Sequence, residues 1–294
     1  MENCKLVSVI IPTAQREPLM VKKAIESALH QTYSHIEILI IDDNTESCQS
    51  SAIRASTKDI PKVRYIKNIG EHGACSARNT GIACAKGEFI AFLDDDDEWL
   101  PQKIELQMKK MVEEVIVVYC NGWRVDTRVT PITKCIYKAE GEFLETASLE
   151  SLLENNHIGT TTQLLIRKSA LEKIDGFDPA FPARQDYDLC LRLVSEGRVV
   201  GINKPLFYHT VHYGNQISKS SKASLRGYEL LYRKHRDLWI KYPKALCKLF
   251  FVLSRMYKLQ KHPFLSIQYY CRGVLLCPSQ WKNGIGEMNK NKPV

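Results

Sequence analysis

Four consecutive aspartates, Asp94–Asp97, follow an apolar run at residues 88–93. The run has the composition of a buried strand, which would deliver the carboxylates to the edge of a sheet and point alternate ones the same way. Neighbouring anions repel one another unless a cation or protons offset their charge, and carboxylate oxygens suit hard ions such as Mg²⁺ or Mn²⁺. Taken alone, the run allows either a cation site or a solvated acidic turn.

The elements that would position these aspartates are strands and helices in alternation. Apolar residues at helical spacing cover residues 17–31, small residues predict a helix at 74–85, and another helix opens at Pro101. The strand-like apolar runs occupy residues 5–12, 36–41, 63–67 and 88–93. This alternation predicts a mostly parallel sheet covered on both faces, in which ligands bind at the carboxyl ends of the strands.

The carboxyl ends of three predicted strands fall at residues 13–16, 42–44 and 94–97. Because two of these ends are acidic, a function explains the aspartates better than a solvated turn. Further along, residues 115–119 and 161–166 are predicted to be strands. Residues 186–196 are predicted to form a helix that Gly197 ends.

The C-terminal part of the chain is strongly basic. Residues 222–294 hold 15 Lys/Arg and 3 Asp/Glu, a balance of +12, whereas the whole chain carries +8 and residues 1–221 therefore −4. The charge change predicts a main domain at 1–221 and a basic helical region at 222–294.

Two functions are open for the basic region, besides a purely structural one. Its basic residues alternate with apolar ones at helical spacing, which is typical of helices in membrane interfaces. The alternative is a helical appendage that packs on the main domain. Interleaved aromatics also permit nucleic-acid binding, but the long aliphatic stripe suits lipid better, so we expect a membrane partner and no nucleic acid.

The cysteines and the apolar runs bear on the compartment. The ten cysteines include no CxxC pair, and no run approaches 18 uninterrupted apolar residues. The start of the chain has the composition of a first buried strand rather than of a secretory leader. We therefore expect a reduced, cytoplasmic protein without a spanning helix.

An ordered set of motifs resembles the family 2 glycosyltransferases, which have the GT-A fold. The set covers about residues 5–220, in the order and spacing of the family. It consists of VSVIIPT (7–13), QTY (31–33), IEILIIDD (36–43), ARNTGI (77–82), AKGE (85–88), FLDDDDEW (92–99), GFD (176–178) and DYDLCLRL (186–193).

The resemblance implies a sugar-nucleotide donor, most often a UDP-sugar, and an inverting transfer to an acceptor hydroxyl. It implies that Asp43 hydrogen-bonds the uracil and that Asp94 and Asp96 hold Mn²⁺ or Mg²⁺ on the donor diphosphate, with Asp96 favoured as the direct ligand. Asp186 takes the position of the general base. The further donor-binding residues implied are Pro12, Thr13, Arg78 and Asp95.

These roles agree with elementary chemistry. A diphosphate leaving group gains negative charge as the glycosidic bond breaks, and a divalent cation stabilises that charge as a Lewis acid. A carboxylate on the opposite face of the sugar can take the proton of the attacking hydroxyl. The basic C-terminal region and the absence of a leader indicate a lipid-linked saccharide as acceptor, at the inner face of the cell membrane. Bacterial O-antigen or capsule assembly is the context that the resemblance implies.

Two positions depart from the family pattern. Ala14-Gln15-Arg16 stands where the family often has Tyr-Asn, and Gln185 stands where Glu precedes the base. These departures leave open a second function, a protein that binds a nucleotide sugar without catalysis. The processive signature Gln-x-x-Arg-Trp is absent near 185–200, which favours the addition of a single sugar.

Several further residues have two interpretations each. His209 and His212 would either complete a metal or phosphate site or be ordinary surface or core histidines. Arg78 would contact the donor pyrophosphate or anchor a helix through an ion pair. Thr160–Thr162 would line the acceptor site or simply follow strand propensity.

Overall fold

The computed structural model describes residues 5–45, 48–137, 139, 142–213 and 220–288. Its strands are β1 (Val7–Thr13), β2 (Ile36–Asp42), β3 (Val63–Lys67), β4 (Phe89–Phe92), β5 (Glu98–Trp99), β6 (Val115–Asp126), β7 (Thr133–Ile136), β8 (Thr146–Ala147), β9 (Leu165–Arg167) and β10 (Arg198–Val211). Its α-helices are α1 (Pro18–Leu29), α2 (Cys48–Thr57), α3 (Ala74–Cys84), α4 (Lys103–Lys110), α5 (Leu149–Glu154), α6 (Lys168–Lys173), α7 (Gln185–Leu193), α8 (Ser221–Lys234), α9 (Arg236–Lys241), α10 (Pro243–Leu259), α11 (Pro263–Leu276) and α12 (Trp281–Met288).

One sheet organises the molecule, with strand order β3-β2-β1-β4-β9-β6-β10-β5. Strand β1 pairs in parallel with β2 and β4, and β6 pairs in parallel with β10, while β9 runs antiparallel between β4 and β6. Every residue of β2 and β4 is buried, as expected for strands covered on both faces. The sheet confirms the predicted α/β class.

The parallel register brings the functional strand ends to one edge. Thr13 at the end of β1 pairs with Asp42 at the end of β2, and Ile10 of β1 pairs with Phe92 of β4. The residues that follow these strands therefore emerge side by side, as the sequence predicted for ligand-binding ends.

Helix α3 lies very close to the sheet because its residues are small. A Cβ placed on Gly81 would lie 2.5 Å from the side chain of Ile10, so a larger residue would push the helix away from β1. This close packing fixes the position of Arg78, one turn earlier on the same helix and 5% exposed.

The middle of the chain differs from the sequence prediction at several points. Residues 161–163 form a 3₁₀ turn, and the strand expected at 161–166 begins only at Leu165. The reason is local capping: the Thr160 side chain accepts from Thr162 N, and the Gln163 side chain accepts from Thr160 N, which competes with strand formation. The long strand β10 was not anticipated, and α7 ends at Leu193 rather than at Glu196.

The apolar pattern of the basic region lies in the core. The eight aliphatic and aromatic residues that define it are all at most 8% exposed, and they belong to the same core as the main sheet. They are Leu225, Tyr228, Leu231, Trp239, Leu246, Phe250, Leu253 and Tyr257. Helices α8 and α10 thus pack on the main domain through this stripe, which is the alternative that the sequence left open.

No helix within the described ranges combines the length and the hydropathy that crossing a bilayer requires.

Candidate active site

A cavity of about 750 Å³ opens at the carboxyl ends of β1, β2 and β4. All the site residues predicted from the sequence line it: Pro12, Thr13, Asp43, Arg78, Asp94, Asp95, Asp96 and Asp186. The fold therefore brings together residues that are up to 174 positions apart (Pro12 to Asp186). Their individual roles remain predictions.

The first two aspartates of the acidic loop face arginines. Arg78 Nη2 donates to Asp94 Oδ1 at 2.7 Å, and Thr161 Oγ1 donates to the same oxygen at 3.3 Å. Burial would raise the pKa of Asp94, but Arg78 lowers it below its ordinary value. Arg16 Nε donates to Asp95 Oδ1 at 2.9 Å, yet burial raises the pKa of Asp95 to about 6. The loop thus holds carboxylates of unequal acidity.

Asp96 faces the Arg16 guanidinium and the His212 imidazole. Arg16 Nη2 lies 3.1 Å and His212 Nε2 lies 3.0 Å from the same oxygen, Oδ2. Of the two histidines that the sequence left open, His212 thus contacts the acidic loop through Asp96, and His209 lines the cavity.

Asp97 serves the loop rather than the cavity. It is 1% exposed, accepts hydrogen bonds from Thr162 Oγ1 at 2.8 Å and from Thr210 N at 3.1 Å, and lies 3.3 Å from His209 Nδ1. These contacts tie the acidic loop to β10 and to the 3₁₀ turn. The unexpected turn and the unexpected strand are therefore the elements that hold the loop in place.

The end of β2 carries two aspartates with different surroundings. Asp42 is fully buried; burial would raise its pKa, but hydrogen bonds, that from Tyr65 foremost, lower it to about 2. Asp43 lines the cavity, and its carboxylate accepts from Gly73 N at 2.7 Å and from Asn68 Nδ2 at 2.7 Å. Asp42 is structural, and Asp43 is the residue that a ligand can reach.

Asp186 lies in the first turn of α7. It is distant from the acidic loop in the sequence, but both line the same cavity. Burial raises the pKa of its carboxyl to about 6, although Arg184 and the Tyr187 N–H, which donates at 2.8 Å, lower it. A carboxylate whose pKa lies just below neutral remains ionised at pH 7 and is a better proton acceptor than an ordinary aspartate. This is the property that a general base needs.

Asp96 and His212 could supply two ligands of a divalent ion whose remaining ligands come from phosphate oxygens. The 3.0 Å between Asp96 Oδ2 and His212 Nε2 is close to the spacing of two adjacent ligands on an ion with bonds of ~2.1 Å. In the described residues no group of three or more Asp, Glu, His or Cys side chains is placed to hold a metal ion. Ions of the Mg²⁺ type are ordinarily held by one or two protein groups together with substrate phosphates, so two protein donors suffice.

Comparison with known proteins decides the family. The model described as Glycosyl transferase family 2 matches residues 8–175, more than half of the chain. This protein belongs to glycosyl transferase family 2. It is therefore a glycosyltransferase, as the ordered motifs predicted.

Two curated relatives of this family 2 glycosyltransferase come from Escherichia coli. The putative colanic acid biosynthesis glycosyl transferase WcaA of strain K12 is 32% identical over 244 residues, covering 81% of this chain and 84% of WcaA. The UDP-Glc:alpha-D-GlcNAc-diphosphoundecaprenol beta-1,3-glucosyltransferase WfaP is 30% identical over 261 residues, covering 86% of this chain and 95% of WfaP.

Two solved structures share the fold of this family 2 glycosyltransferase. TarS 1–349 of S. aureus, solved with UDP-GlcNAc, has a TM-score of 0.61 at 16% identity, with 95% of this chain and 92% of that chain covered. The mannosyltransferase PcManGT of Pyrobaculum calidifontis, solved with GDP-Man and Mn²⁺, has a TM-score of 0.60 at 15% identity, with 95% and 79% covered. These likenesses confirm the GT-A fold class.

Sequence reasoning missed part of the cavity wall of this family 2 glycosyltransferase. Tyr137, Asn156, Arg184 and Ser224 all line it, from four separate segments. None of them belongs to a motif, and only the tertiary fold brings them to the cavity. Arg184 adopts a left-handed conformation (φ 66°) directly before α7, a feature that only the structure shows.

Helix α8 braces the segment that carries Asp186. A Cβ on Gly227 would lie 2.5 Å from the carbonyl oxygen of Ala183, and the Arg184 guanidinium lies 4.6 Å from the centre of the Tyr228 ring. Below this contact His235 Nε2 lies 2.8 Å from Asp188 Oδ1, a fully buried carboxylate on α7. The basic region of this family 2 glycosyltransferase thus holds the predicted base in position.

Proposed function

We propose that this glycosyltransferase moves a single sugar from a UDP-sugar to a hydroxyl group of a lipid-linked saccharide, with inversion at the anomeric carbon. The observation that carries the proposal is the composition of one cavity. Asp186, with its raised pKa, lines the same cavity as the acidic loop and Asp43. A proton acceptor and a diphosphate site are the two requirements of an inverting transfer.

Asp186 takes the proton of the attacking hydroxyl in this proposal. The acceptor oxygen forms a bond to the anomeric carbon while the bond from that carbon to the diphosphate breaks, and the proton of the hydroxyl passes to a carboxylate oxygen of Asp186. UDP leaves with the electron pair of the broken bond. No covalent bond to the protein forms, so a single displacement inverts the configuration at the anomeric carbon.

Positive groups of the chain bind the leaving diphosphate. Arg78 is fixed in α3 and lines the cavity beside Asp94, from where its guanidinium can donate to phosphate oxygens. Mn²⁺ or Mg²⁺, held by Asp96 with His212 and supported by Asp94, would neutralise the charge that develops on the diphosphate. Since an imidazole nitrogen suits a transition ion better than Mg²⁺, we favour Mn²⁺.

The donor and acceptor are proposed from the relatives. WfaP carries in its name a UDP-glucose donor and a GlcNAc linked to diphosphoundecaprenol as acceptor. Asp43 would hydrogen-bond the uracil, and Pro12, Thr13 and Asp95 would line the donor, since all four face the cavity. We place the reaction in the assembly of a cell-surface polysaccharide, as in O-antigen or colanic acid.

The test of this proposal is a transfer assay. The purified chain is incubated with Mn²⁺, a panel of UDP-sugars and a synthetic polyprenyl-diphosphate-GlcNAc, and the anomeric configuration of the product is read by NMR. We expect a β-linked product from an α-linked donor, and a loss of at least 100-fold in Asp186→Asn and Asp96→Ala, since each removes a group that acts in the transition state. Addition of EDTA should have the effect of Asp96→Ala.

The matched control is Asp59→Ala, which removes an exposed carboxylate away from the cavity and should leave the rate unchanged. Full activity in Asp186→Asn would remove Asp186 as the base. UDP binding without transfer to any acceptor would support the second function, a nucleotide-sugar-binding protein without catalysis, for which Gln185 and Ala14 are the departures from the family pattern.

We further propose that the protein binds the inner face of the cell membrane through α11 and α12. The stripe on α8 and α10 is buried, but α11 presents Phe264 (79% exposed), Ile267 (59%) and Leu275 (81%) to solvent. Trp281 and Ile285 of α12 are also exposed. The surrounding region carries +12, which complements anionic lipid headgroups.

Vesicle flotation tests the membrane contact. We expect the chain to float with vesicles that contain anionic lipid, less so at high salt, and the double variant Phe264→Asp/Leu275→Asp to remain in the soluble fraction. Leu19→Asp changes an exposed leucine on α1 (65% exposed) and should float like the unaltered chain. Flotation of the double variant at the level of the unaltered chain would contradict the proposal. So would a dimer of the unaltered chain that buries the exposed face of α11 and α12.

A further inference from the structure

Arg16 lies against the acidic loop and pairs with Asp95 and Asp96. It belongs to the segment between β1 and α1, and its side chain is 16% exposed and lines the cavity. Its guanidinium contacts Asp95 Oδ1 at 2.9 Å, Asp96 Oδ2 at 3.1 Å and His212 Nε2 at 3.3 Å. Although burial would lower the pKa of this guanidinium, Asp95 and Asp96 raise it above its ordinary value, so the group is a cation.

Two of these contacts use the atoms that a metal ion would use. Asp96 Oδ2 and His212 Nε2 are the pair whose spacing fits adjacent ligands of one ion, and Arg16 lies against both atoms. A neutral imidazole nitrogen has a single lone pair, which can face either an ion or an N–H group. A guanidinium and a divalent ion also repel each other at contact distance. Arg16 and the ion therefore exclude each other.

We propose that Arg16 is a placeholder cation that occupies the ion position beside Asp96 and His212 and leaves it when the metal-bound donor enters. This inference rests on the proposed metal-dependent transfer. In the absence of ligands the guanidinium offsets the repulsion between Asp95 and Asp96, so the loop keeps its shape. On binding, the ion takes over this role at Asp96.

The displaced guanidinium has a second partner available in the cavity. Arg16 lines the same space as Arg78 and Asp43, into which the donor diphosphate would fit. Arginine binds phosphate oxygens in a bidentate manner and on a long side chain, so the guanidinium can exchange carboxylate for phosphate by rotation about its own bonds. This change of partner couples binding of the ion to binding of the donor, because the ion displaces Arg16 and Arg16 then binds the donor diphosphate.

The test measures Mn²⁺ binding to the full chain without any sugar nucleotide, by calorimetry and by the EPR signal of free Mn²⁺. We compare the unaltered chain with Arg16→Ala and with Arg128→Ala. Arg128 pairs with Asp126 through a 2.6 Å contact and does not line the cavity, so its loss removes the same charge elsewhere. We expect Arg16→Ala to bind Mn²⁺ about tenfold more tightly and Arg128→Ala to match the unaltered chain.

Thermal melting and UDP binding supply independent readouts. Arg16→Ala should melt at a lower temperature than the unaltered chain in EDTA and gain more from added Mn²⁺, because the loop loses its placeholder. With Mn²⁺ present, Arg16→Ala should bind UDP about tenfold more weakly.

The outcomes separate the two proposals. Equal or weaker Mn²⁺ binding by Arg16→Ala overturns the placeholder role alone. Binding of Mn²⁺ to none of the proteins overturns the metal assignment and the placeholder with it. Unchanged UDP affinity in Arg16→Ala overturns the exchange onto phosphate.

Discussion

At the scale of single residues, Asp186 combines a chemical advantage with a cost to the fold. Its pKa rises from 3.8 to about 6, with burial as the main cause. Because the unfolded chain ionises this group more easily, the carboxyl lowers the free energy of unfolding as pH rises from about 4 to about 6, by roughly 2 kcal/mol. The burial that makes the Asp186 carboxylate a better proton acceptor therefore also lowers the stability of the fold at neutral pH.

Asp186→Asn should accordingly abolish transfer and yet stabilise the protein. We expect the melting temperature to rise by several degrees at pH 8, where the carboxylate is charged, and by clearly less at pH 5. Thermal denaturation at the two pH values measures this, with the exposed Asp59→Asn as a control that should change neither. A lower melting temperature at pH 8 would contradict the prediction.

The same pKa sets the pH dependence of the reaction. The value of kcat/KM should fall below about pH 6, as Asp186 becomes protonated in the free enzyme. Asp95 also has a pKa raised to about 6, so the source of the acid limb has to be separated. We expect Asp95→Asn to show the same fall of kcat/KM below about pH 6. If the fall disappears in that variant, the titrating group belongs to the acidic loop and is not Asp186.

At the scale of elements, α8 and the segment before α7 form one unit. The contact of Gly227 with the Ala183 carbonyl leaves no room for a methyl group. Gly227→Ala should therefore move residues 183–186 and lower kcat about tenfold, at a stability cost of about 1–3 kcal/mol. Steady-state kinetics and melting measure both.

Gly286→Ala is the matched control for that substitution. It also adds one methyl group to a C-terminal helix, but nothing lies within 4 Å of the added Cβ. It should leave kcat unchanged and stabilise slightly through helix propensity. A rate loss of the same size in both variants would show that α8 has no special contact with the base.

The extent of what sequence predicts also differs between elements. The acidic loop was predictable because an apolar strand leads directly into it, and because ligands bind at the carboxyl ends of the strands in a parallel sheet. The 3₁₀ turn at 161–163 was not, because strand propensity of the threonines competes with a cap that only the Thr160 and Gln163 side chains form. The contact between Asp96 and His212 joins residues 116 positions apart, and no local pattern records it.

At the scale of the whole molecule, the charge boundary near residue 221 does not coincide with a break in the core. The helices of the basic region were predictable from the spacing of its apolar residues. Whether the apolar stripe packs on lipid or on the main domain was not predictable, since both surfaces are apolar. In the structure Leu231 and Leu253 share one core with Phe92 and Leu189. Residues 1–221 and the basic region are therefore stabilised by one shared hydrophobic core.

We therefore expect one cooperative unfolding transition for the full chain, followed equally by calorimetry and by circular dichroism. A chain that ends at residue 221 should be largely insoluble, because it exposes the surface that α8 and α10 cover. Two separate transitions, or a soluble 1–221 fragment that binds UDP as tightly as the full chain, would contradict the prediction.

The brace that α8 provides has a consequence for the time at which the enzyme becomes active. A ribosome releases the chain from its N-terminus, so the sheet and the acidic loop are available before Ser224, Gly227 and Tyr228 have left the tunnel. Ser224 lines the cavity, and Gly227 and Tyr228 support the segment of Asp186. A nascent chain should consequently gain the capacity to transfer sugar only after α8 has left the tunnel, later than the acidic loop forms.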